Sequence, residues 1–224
     1  PSDWNASNIA NFHLSDKERS FANRLRAEAF QTVKMTDQKT RIRQSDATKR
    51  LNERVQDINY WRNALDEEIH VMQNEQENLK EHLRVLESAL QHTAQPLQIS
   101  EECLYNREKR VGIDQVNDDV EKSLVREVDT IKKCQSRMQK LLEMGRIQTK
   151  LNRAAQHELE KDAKDKTHAQ NIDDRMYQLK NTSAGITYHP GIELYDNTIS
   201  IPDSWVRFTQ ENILRSQKCR AASE

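Results

Sequence analysis

Residues 51–90 read LNERVQDINYWRNALDEEIHVMQNEQENLKEHLRVLESAL. Leu51, Val55, Ile58, Arg62, Leu65, Ile69, Met72, Gln76, Leu79, Leu83, Leu86 and Leu90 follow one another in alternating steps of four and three. Ten of these twelve positions are apolar, and the residues around them are mostly Glu, Gln, Asn, Arg and Lys. A spacing that averages 3.5 residues over several heptads keeps one stripe facing a partner helix and predicts left-handed supercoiling. A lone amphipathic helix on a globular core drifts out of that phase. Heptads report that a partner helix exists; they do not say whether it comes from this chain or another.

Working outward from that seam, no Pro or Gly occurs in the 94 residues between Pro1 and Pro96. These two residues are the usual helix breakers, so their absence predicts one extended helical segment over 1–95. Ser15 and Glu18 have the form of a capping box, so the helix begins there or near Trp4. Pro96 ends the segment. Ser100 then opens a short helix through Arg110 that Gly112 terminates, and 96–116 is read as a linker. Asn117 or Asp118 caps a second extended segment over 117–182, with Gly145 inside it. Its apolar positions are Val120, Leu124, Val128, Ile131, Cys134, Met138 and Leu141, then Ile147, Leu151 and Ala154, and finally Ile172, Met176 and Leu179. At ~1.5 Å per residue the two segments would extend roughly 120 and 100 Å, with the second folded back beside the first or continuing it through a kink.

Residues 183–201 differ in character: Gly185, Pro190 and Gly191 break helix, while Ile186, Tyr188, Ile192 and Leu194 alternate as in a small hairpin. Pro202-Asp203-Ser204-Trp205 then echoes Pro1-Ser2-Asp3-Trp4. The echo suggests that 202–224 starts a further helical segment of similar design and stops inside it. The fold class is therefore all-α, a long coiled-coil rod of two extended helical segments joined by a linker containing a short helix. A loop and the start of a further helix follow.

Composition agrees. Only 35% of the 224 residues are apolar and 5% aromatic, while 32% are charged. Mean hydropathy is −0.99. That mixture cannot fill the interior of a compact globule, and suits either disorder or helices that bury a narrow stripe. Four Gly, four Pro and a net charge of −1 argue against disorder. The near-neutral balance also argues against nucleic acid, which is bound through a basic excess. The cluster Arg41, Arg43, Lys49 and Arg50 is broken by Asp46 and followed by Glu53, as on a solvated helix face. No apolar run approaches the ~20 residues that a membrane span requires.

A search for chemistry returns no catalytic, cofactor-binding or metal site. Phosphate loops, H-E-x-x-H and Gly-x-Ser-x-Gly are absent from the sequence. Pairs such as Glu158 and Asp162 belong to charged helix faces. Cys103, Cys134 and Cys219 lie far apart with no C-x-x-C and no His at ligand spacing, which argues against zinc, and their odd count argues against a secreted disulfide framework. His70, His82 and His92 read as surface or flanking residues of the first segment. The informative aromatics are Trp4, Trp61 and Trp205, each either additional core or an anchor for a partner.

Residues 103–131, CLYNREKRVGIDQVNDDVEKSLVREVDTI, resemble the characteristic stretch of the tektins, filament proteins of cilia and flagella. Cys103, Leu104, Arg107, Glu108, Arg110, Gly112, Ile113 and Asp114 carry the first part of the pattern. Val116, Asp118, Val120, Glu121, Leu124, Glu127 and Ile131 carry the rest. Pro96-Leu97, the segment ending at Trp61, residues 152–166, Ile172-Asp173-Asp174 and the loop before Trp205 are similar too, so the likeness covers nearly the whole chain. Gln115 and Ala163 depart from it, standing where the family usually has Leu. The family's nonapeptide Arg-Pro-Asn-Val-Glu-Leu-Cys-Arg-Asp is missing; it belongs to the second half of the rod, so the resemblance implies an N-terminal half. The stretch 181–205, NTSAGITYHPGIELYDNTISIPDSW, is nearest to types three, four and five.

The resemblance implies a non-enzymatic filament in the lumen of the A-tubule of axonemal doublet microtubules. The implied partners are other tektin chains, tubulin and further luminal microtubule proteins, with neither nucleic acid nor membrane. The residues alone leave open a cytoplasmic coiled-coil adaptor or tether that forms no filament.

Overall fold

The computed structural model describes residues 1–194 and 200–223. Its helices are α1 (Ser2–His92), α2 (Ala94–Glu108), α3 (Asp119–Tyr177) and α4 (Pro202–Ala221). Single 3-10 turns stand at Gly112–Asp114 and Ile192–Leu194, and no strand occurs among the described residues. The all-α class is therefore as the sequence predicts. The chain divides into two units: Pro1–Asp57 with Ile172–Asn181, and Ile58–Asn171 with the residues from Thr182 onward.

In the first unit α1 starts at Ser2 and runs straight past Ser15, so the capping box there is not used as a helix start. Pairs spaced i,i+3 or i,i+4 line its surface, including Arg19–Asp16, Arg41–Asp37 and Arg50–Glu53. Each such exposed pair is worth only about 0.2–0.5 kcal/mol. The end of α3 meets α1 through a reciprocal amide pair: Gln44 Nε2 donates to Asn181 Oδ1 at 2.7 Å, and Asn181 Nδ2 to Gln44 Oε1 at 3.4 Å. α3 stops at Tyr177 instead of Thr182, and Ile172, Met176 and Leu179 are exposed.

In the second unit α3 returns antiparallel to α1 and α2. Arg62 donates to Gln170 (2.7 Å), Gln76 to Gln156 (2.6 Å), and Gln135 to Thr93 Oγ1 (3.0 Å). Arg146 pairs with Glu87 at 2.9 Å, and Lys132 with Glu101 at 2.7 Å. Positions rise along one helix as they fall along the other. On α1, Ile58, Leu65, Met72 and Leu79, spaced by seven, are buried, and the other seam positions are half-buried.

The break between α1 and α2 lies at Thr93, three residues before Pro96. Pro96 therefore sits in the first turn of α2, and the short helix opens at Ala94 instead of Ser100. The first helical N–H groups have no partner within their own helix, so a proline is tolerated there. Its ring excludes the carbonyl of residue 92, and the chain tightens instead: Thr93 N and Oγ1 both donate to Leu90 O, at 3.3 and 2.6 Å. Ser100 is buried within α2 and donates to Pro96 O at 3.0 Å.

The inward stripe of α3 differs from the apolar positions expected. Leu124, Val128, Ile131 and Met138 are half-buried, but Val120, Cys134, Leu141, Ile147, Leu151 and Ala154 are exposed. The positions turned inward continue the three-four spacing as Leu142, Gly145, Thr149, Asn152, Gln156, Leu159, Ala163 and Lys166. A Cβ at Gly145 would collide with Cδ2 of Leu83, so this glycine is the hollow that receives a seam leucine of α1.

The hairpin expected around His189-Pro190-Gly191 does not form among the described residues. Gly191 takes φ +83° and Ile192–Leu194 closes a 3-10 turn, with Leu194 N donating to Gly191 O at 3.0 Å. Tyr188 is 98% exposed, and Ile186, Ile192 and Leu194 are exposed as well, so no apolar face supports a two-stranded ribbon. Residues 195–199 of that loop lie outside the described residues.

Candidate assembly interface

The turn between α2 and α3 gathers most of the conspicuous motif. Gly112 adopts φ +63°, a left-handed conformation that a side chain would strain. Gln115 N donates to Gly112 O at 3.2 Å and Arg110 Nη2 to Val116 O at 3.3 Å, closing the turn. Arg107 reaches across it, bonding Asp118 Oδ1 and, at 2.8 Å, Glu121 Oε2. Asp118 also caps α3, accepting the Glu121 backbone N–H at 2.9 Å. That backbone N–H, followed by Arg107, holds the Asp118 carboxyl below its ordinary range, while Glu121 and then Asp118 push the Arg107 guanidinium up. Leu104 is half-buried; Cys103, Glu108 and Asp114 are exposed, and Ile113 is 93% exposed. The motif thus combines a buttressed turn with an outward apolar tip.

α4 packs on α1 and α3 through contacts that hydropathy does not report. Ile213 joins a cluster of Leu65, Leu159 and Ala163 beside Ile69. The buried residues of α4, however, are Thr209, Asn212 and Ser216. Glu68, itself buried, accepts from Ser216 Oγ at 2.7 Å and from Arg220 Nε and Nη2 at 3.1 and 3.3 Å. Lys166 donates to Asp162 at 2.6 Å, both nearly inaccessible, and its ammonium lies 4.6 Å from the Trp205 ring centre. Asn212 Nδ2 reaches Asp162 Oδ2 at 3.4 Å, and Gln148 Nε2 donates to Cys219 O at 2.8 Å. Sequence reasoning singled out neither Glu68 nor Lys166, and it read Asp162 as part of a solvated face.

The three tryptophans occupy different settings. Trp205 is half-buried under Lys166; Trp61 is half-buried and meets Tyr60 edge-on at 5.1 Å; Trp4 is 70% exposed. The first unit leaves a series of large apolar side chains in solvent, among them Trp4, Phe12, Phe21, Leu25, Phe30 and Ile42. In the second, Val85 on α1 and Leu141, Met144, Ile147 and Leu151 on α3 are exposed. The opposite side of the α1–α3 pair is an open groove of mixed charge, lined by Lys80, Arg84, Glu87, Glu143, Arg146 and Lys150. Among the described residues no group of His, Cys, Asp and Glu could hold a metal, and no helix is long and apolar enough to cross a membrane.

These surfaces combine charged side chains with scattered large apolar ones. A family model described as Tektin family matches residues 4–224, the full extent of the motif-bearing helices and of α4. The chain belongs to the Tektin family, structural filament proteins of the ciliary and flagellar axoneme that assemble with other tektins and with axonemal microtubule proteins.

Proposed function

We propose that this tektin stabilises doublet microtubules from within the lumen of the A-tubule, contacting tubulin and other luminal proteins as well as tektin chains. The observation that carries this reading is the set of large side chains left in solvent around α1 within residues 1–57: Trp4, Phe12, Phe21, Phe30 and Ile42, spaced 8 to 12 residues apart and pointing to different sides of the helix. Large apolar side chains presented on several sides of an otherwise charged helix suit contact with several neighbours at once. A protein enclosed in a lattice needs such faces on several sides. The α1 seam from Leu51 to Leu90 is its structural spine. Trp4 serves as an anchor for a neighbour, as does Trp61 at its free edge. The motif turn, with Ile113 at its tip, meets a further neighbour.

The test is localisation combined with extraction. A tagged full-length chain expressed in ciliated cells should remain with axonemes through detergent and appear by cryo-electron tomography as density inside the A-tubule. A detergent-soluble pool, or density confined to the outer surface of the doublet, would refute the luminal assignment. The soluble result would favour an adaptor.

A further inference from the structure

α4 is seated by a face that is mostly polar. Trp205, Thr209, Asn212, Ser216 and Cys219 keep the four-three spacing of a coiled-coil seam, and Thr209, Asn212 and Ser216 are the buried ones. The surface that receives this helix repeats: Ile58, Leu65, Met72 and Leu79 recur every seven residues along α1. To an apolar helix such a surface offers near-equivalent seats about 10.5 Å apart, one heptad at 1.5 Å per residue.

The polar contacts remove that equivalence. One heptad to either side of Glu68 stand Trp61 and Glu75; one heptad from Asp162 stand Ala155 and Ala169; one heptad from Lys166 stand Leu159 and Asp173. α4 runs antiparallel to α3, since Asn212 meets Asp162 and Cys219 meets Gln148. Displacing it by one heptad toward Glu75 sets Asn212 against Ala155 and Trp205 against Leu159. Glu68 then faces Thr209 and Ile213 and loses both Ser216 and Arg220. Displacement the other way sets Trp205 against Asp173 and Asn212 against Ala169. Either slip strips buried Glu68 of Ser216 and Arg220, and takes from the Asp162–Lys166 pair the Asn212 amide and the Trp205 ring, a costly outcome for ionised groups in a packed interface.

We propose that Glu68, Asp162 and Lys166 form a register code. They admit a helix carrying an indole over Lys166 (Trp205) and, from seven residues further on, an amide, a hydroxyl and a guanidinium at successive four-residue steps (Asn212, Ser216, Arg220), and only at one axial position. The contacts choose where α4 sits, while Ile213 and its cluster hold it there.

Pulsed electron–electron resonance on the full chain tests this. In a Cys103→Ser/Cys134→Ser/Cys219→Ser background, spin labels go on exposed Gln217→Cys and on either Lys150→Cys or Lys161→Cys. The contacts at 212 and 219 bracket position 217 between these two references. The starting protein should give one narrow distance for each pair. Glu68→Leu/Asp162→Ala/Lys166→Leu, which removes the code without stranding a buried charge on α1 or α3, should add a second population. In that population the distance from 217 to 161 lengthens or shortens by several ångströms according to the direction of the slip, as a displacement of about 10 Å requires. Glu68→Arg should displace α4, and Glu68→Arg/Arg220→Glu should return the single narrow distance. The proposal is overturned if the triple variant keeps the original distance, because apolar contacts would then set the register. It is equally overturned if α4 comes away altogether, giving one long, broad distribution, or if the charge swap fails to restore the original distance.

Discussion

Leu159→Ala and Leu151→Ala, two substitutions eight residues apart on α3, separate the packing seen here from the one that hydropathy suggests. Leu159 is 0% exposed and packs in the cluster with Leu65 and Ala163, where α1, α3 and α4 meet. Leu151 is 50% exposed. Truncating a fully buried leucine forfeits its transfer energy and leaves a cavity, for which about 2–5 kcal/mol is usual. The cluster is small and bordered by half-buried Ile69 and Ile213, which can move inward, so about 2–3 kcal/mol is expected for Leu159→Ala. Leu151→Ala loses about half of the transfer term, leaves no closed cavity and gains slightly in helix propensity, so its cost should stay below about 1 kcal/mol. Urea unfolding followed by far-ultraviolet circular dichroism gives the comparison. Amide hydrogen exchange over residues 148–165 localises it, because helices of this length need not unfold in a single step. Equal costs at the two positions, or a larger cost at Leu151, would refute the assignment of the inward face. A cost at Leu151 that grows with protein concentration would show that another chain covers it.

Acid should loosen the α2–α3 turn before the helices around it. The folded-state pKa of Asp118 lies below its ordinary value of 3.8, so its contribution to stability is present above that value and is lost as pH falls through the folded one. Protection of the Glu121 and Val116 amides should therefore drop below about pH 4, and Asp118→Asn should flatten that part of the profile. At Gly145, alanine gains about 1 kcal/mol of helix propensity but forces Leu83 aside, leaving Gly145→Ala close to the original thermal midpoint. Gly145→Val should cost about 1–3 kcal/mol by overpacking, and Leu83→Ala in the same chain should remove most of that cost. Lys166→Met leaves Asp162 buried with, among the described residues, only Asn212 Nδ2 at 3.4 Å, and should cost about 3–5 kcal/mol in urea unfolding; a loss below about 1 kcal/mol would mean that the pair is hydrated.

How far the sequence could be read differs between the two faces of one interface. On α1 the seam is written in Leu, Ile, Val and Met, and hydropathy alone gives its phase. On α3 the same three-four spacing is kept by Gln135, Gly145, Thr149, Asn152, Gln156 and Lys166, residues that carry no hydrophobic signal. The apolar residues near them, Leu141, Ile147 and Leu151, lie off that phase and face solvent. Gly145 reads as a weak point in a helix until Leu83 is seen above it. Asn152 is 0% exposed, with its Oδ1 accepting from Gln148 at 2.9 Å. Glu68 and Lys166 look like ordinary surface charges, because burial depends on α4, which arrives from far along the chain.

One signal for the true phase was nevertheless present in the α1 seam. Its two polar interruptions, Arg62 and Gln76, stand 14 residues apart, and their partners Gln170 and Gln156 on α3 are also 14 apart, in reverse order. Apolar positions of a heptad are interchangeable by translation, whereas a pair of polar marks at a fixed separation fits only a complementary pair. Matching interruption to interruption across an antiparallel pair would have placed Leu83 opposite Thr149, one turn from Gly145, and put Asn152 and Leu159 inward. The residues that spoil the hydrophobic pattern are therefore the ones that fix the alignment of α1 with α3, as Glu68 and Asp162 are proposed to do for α4.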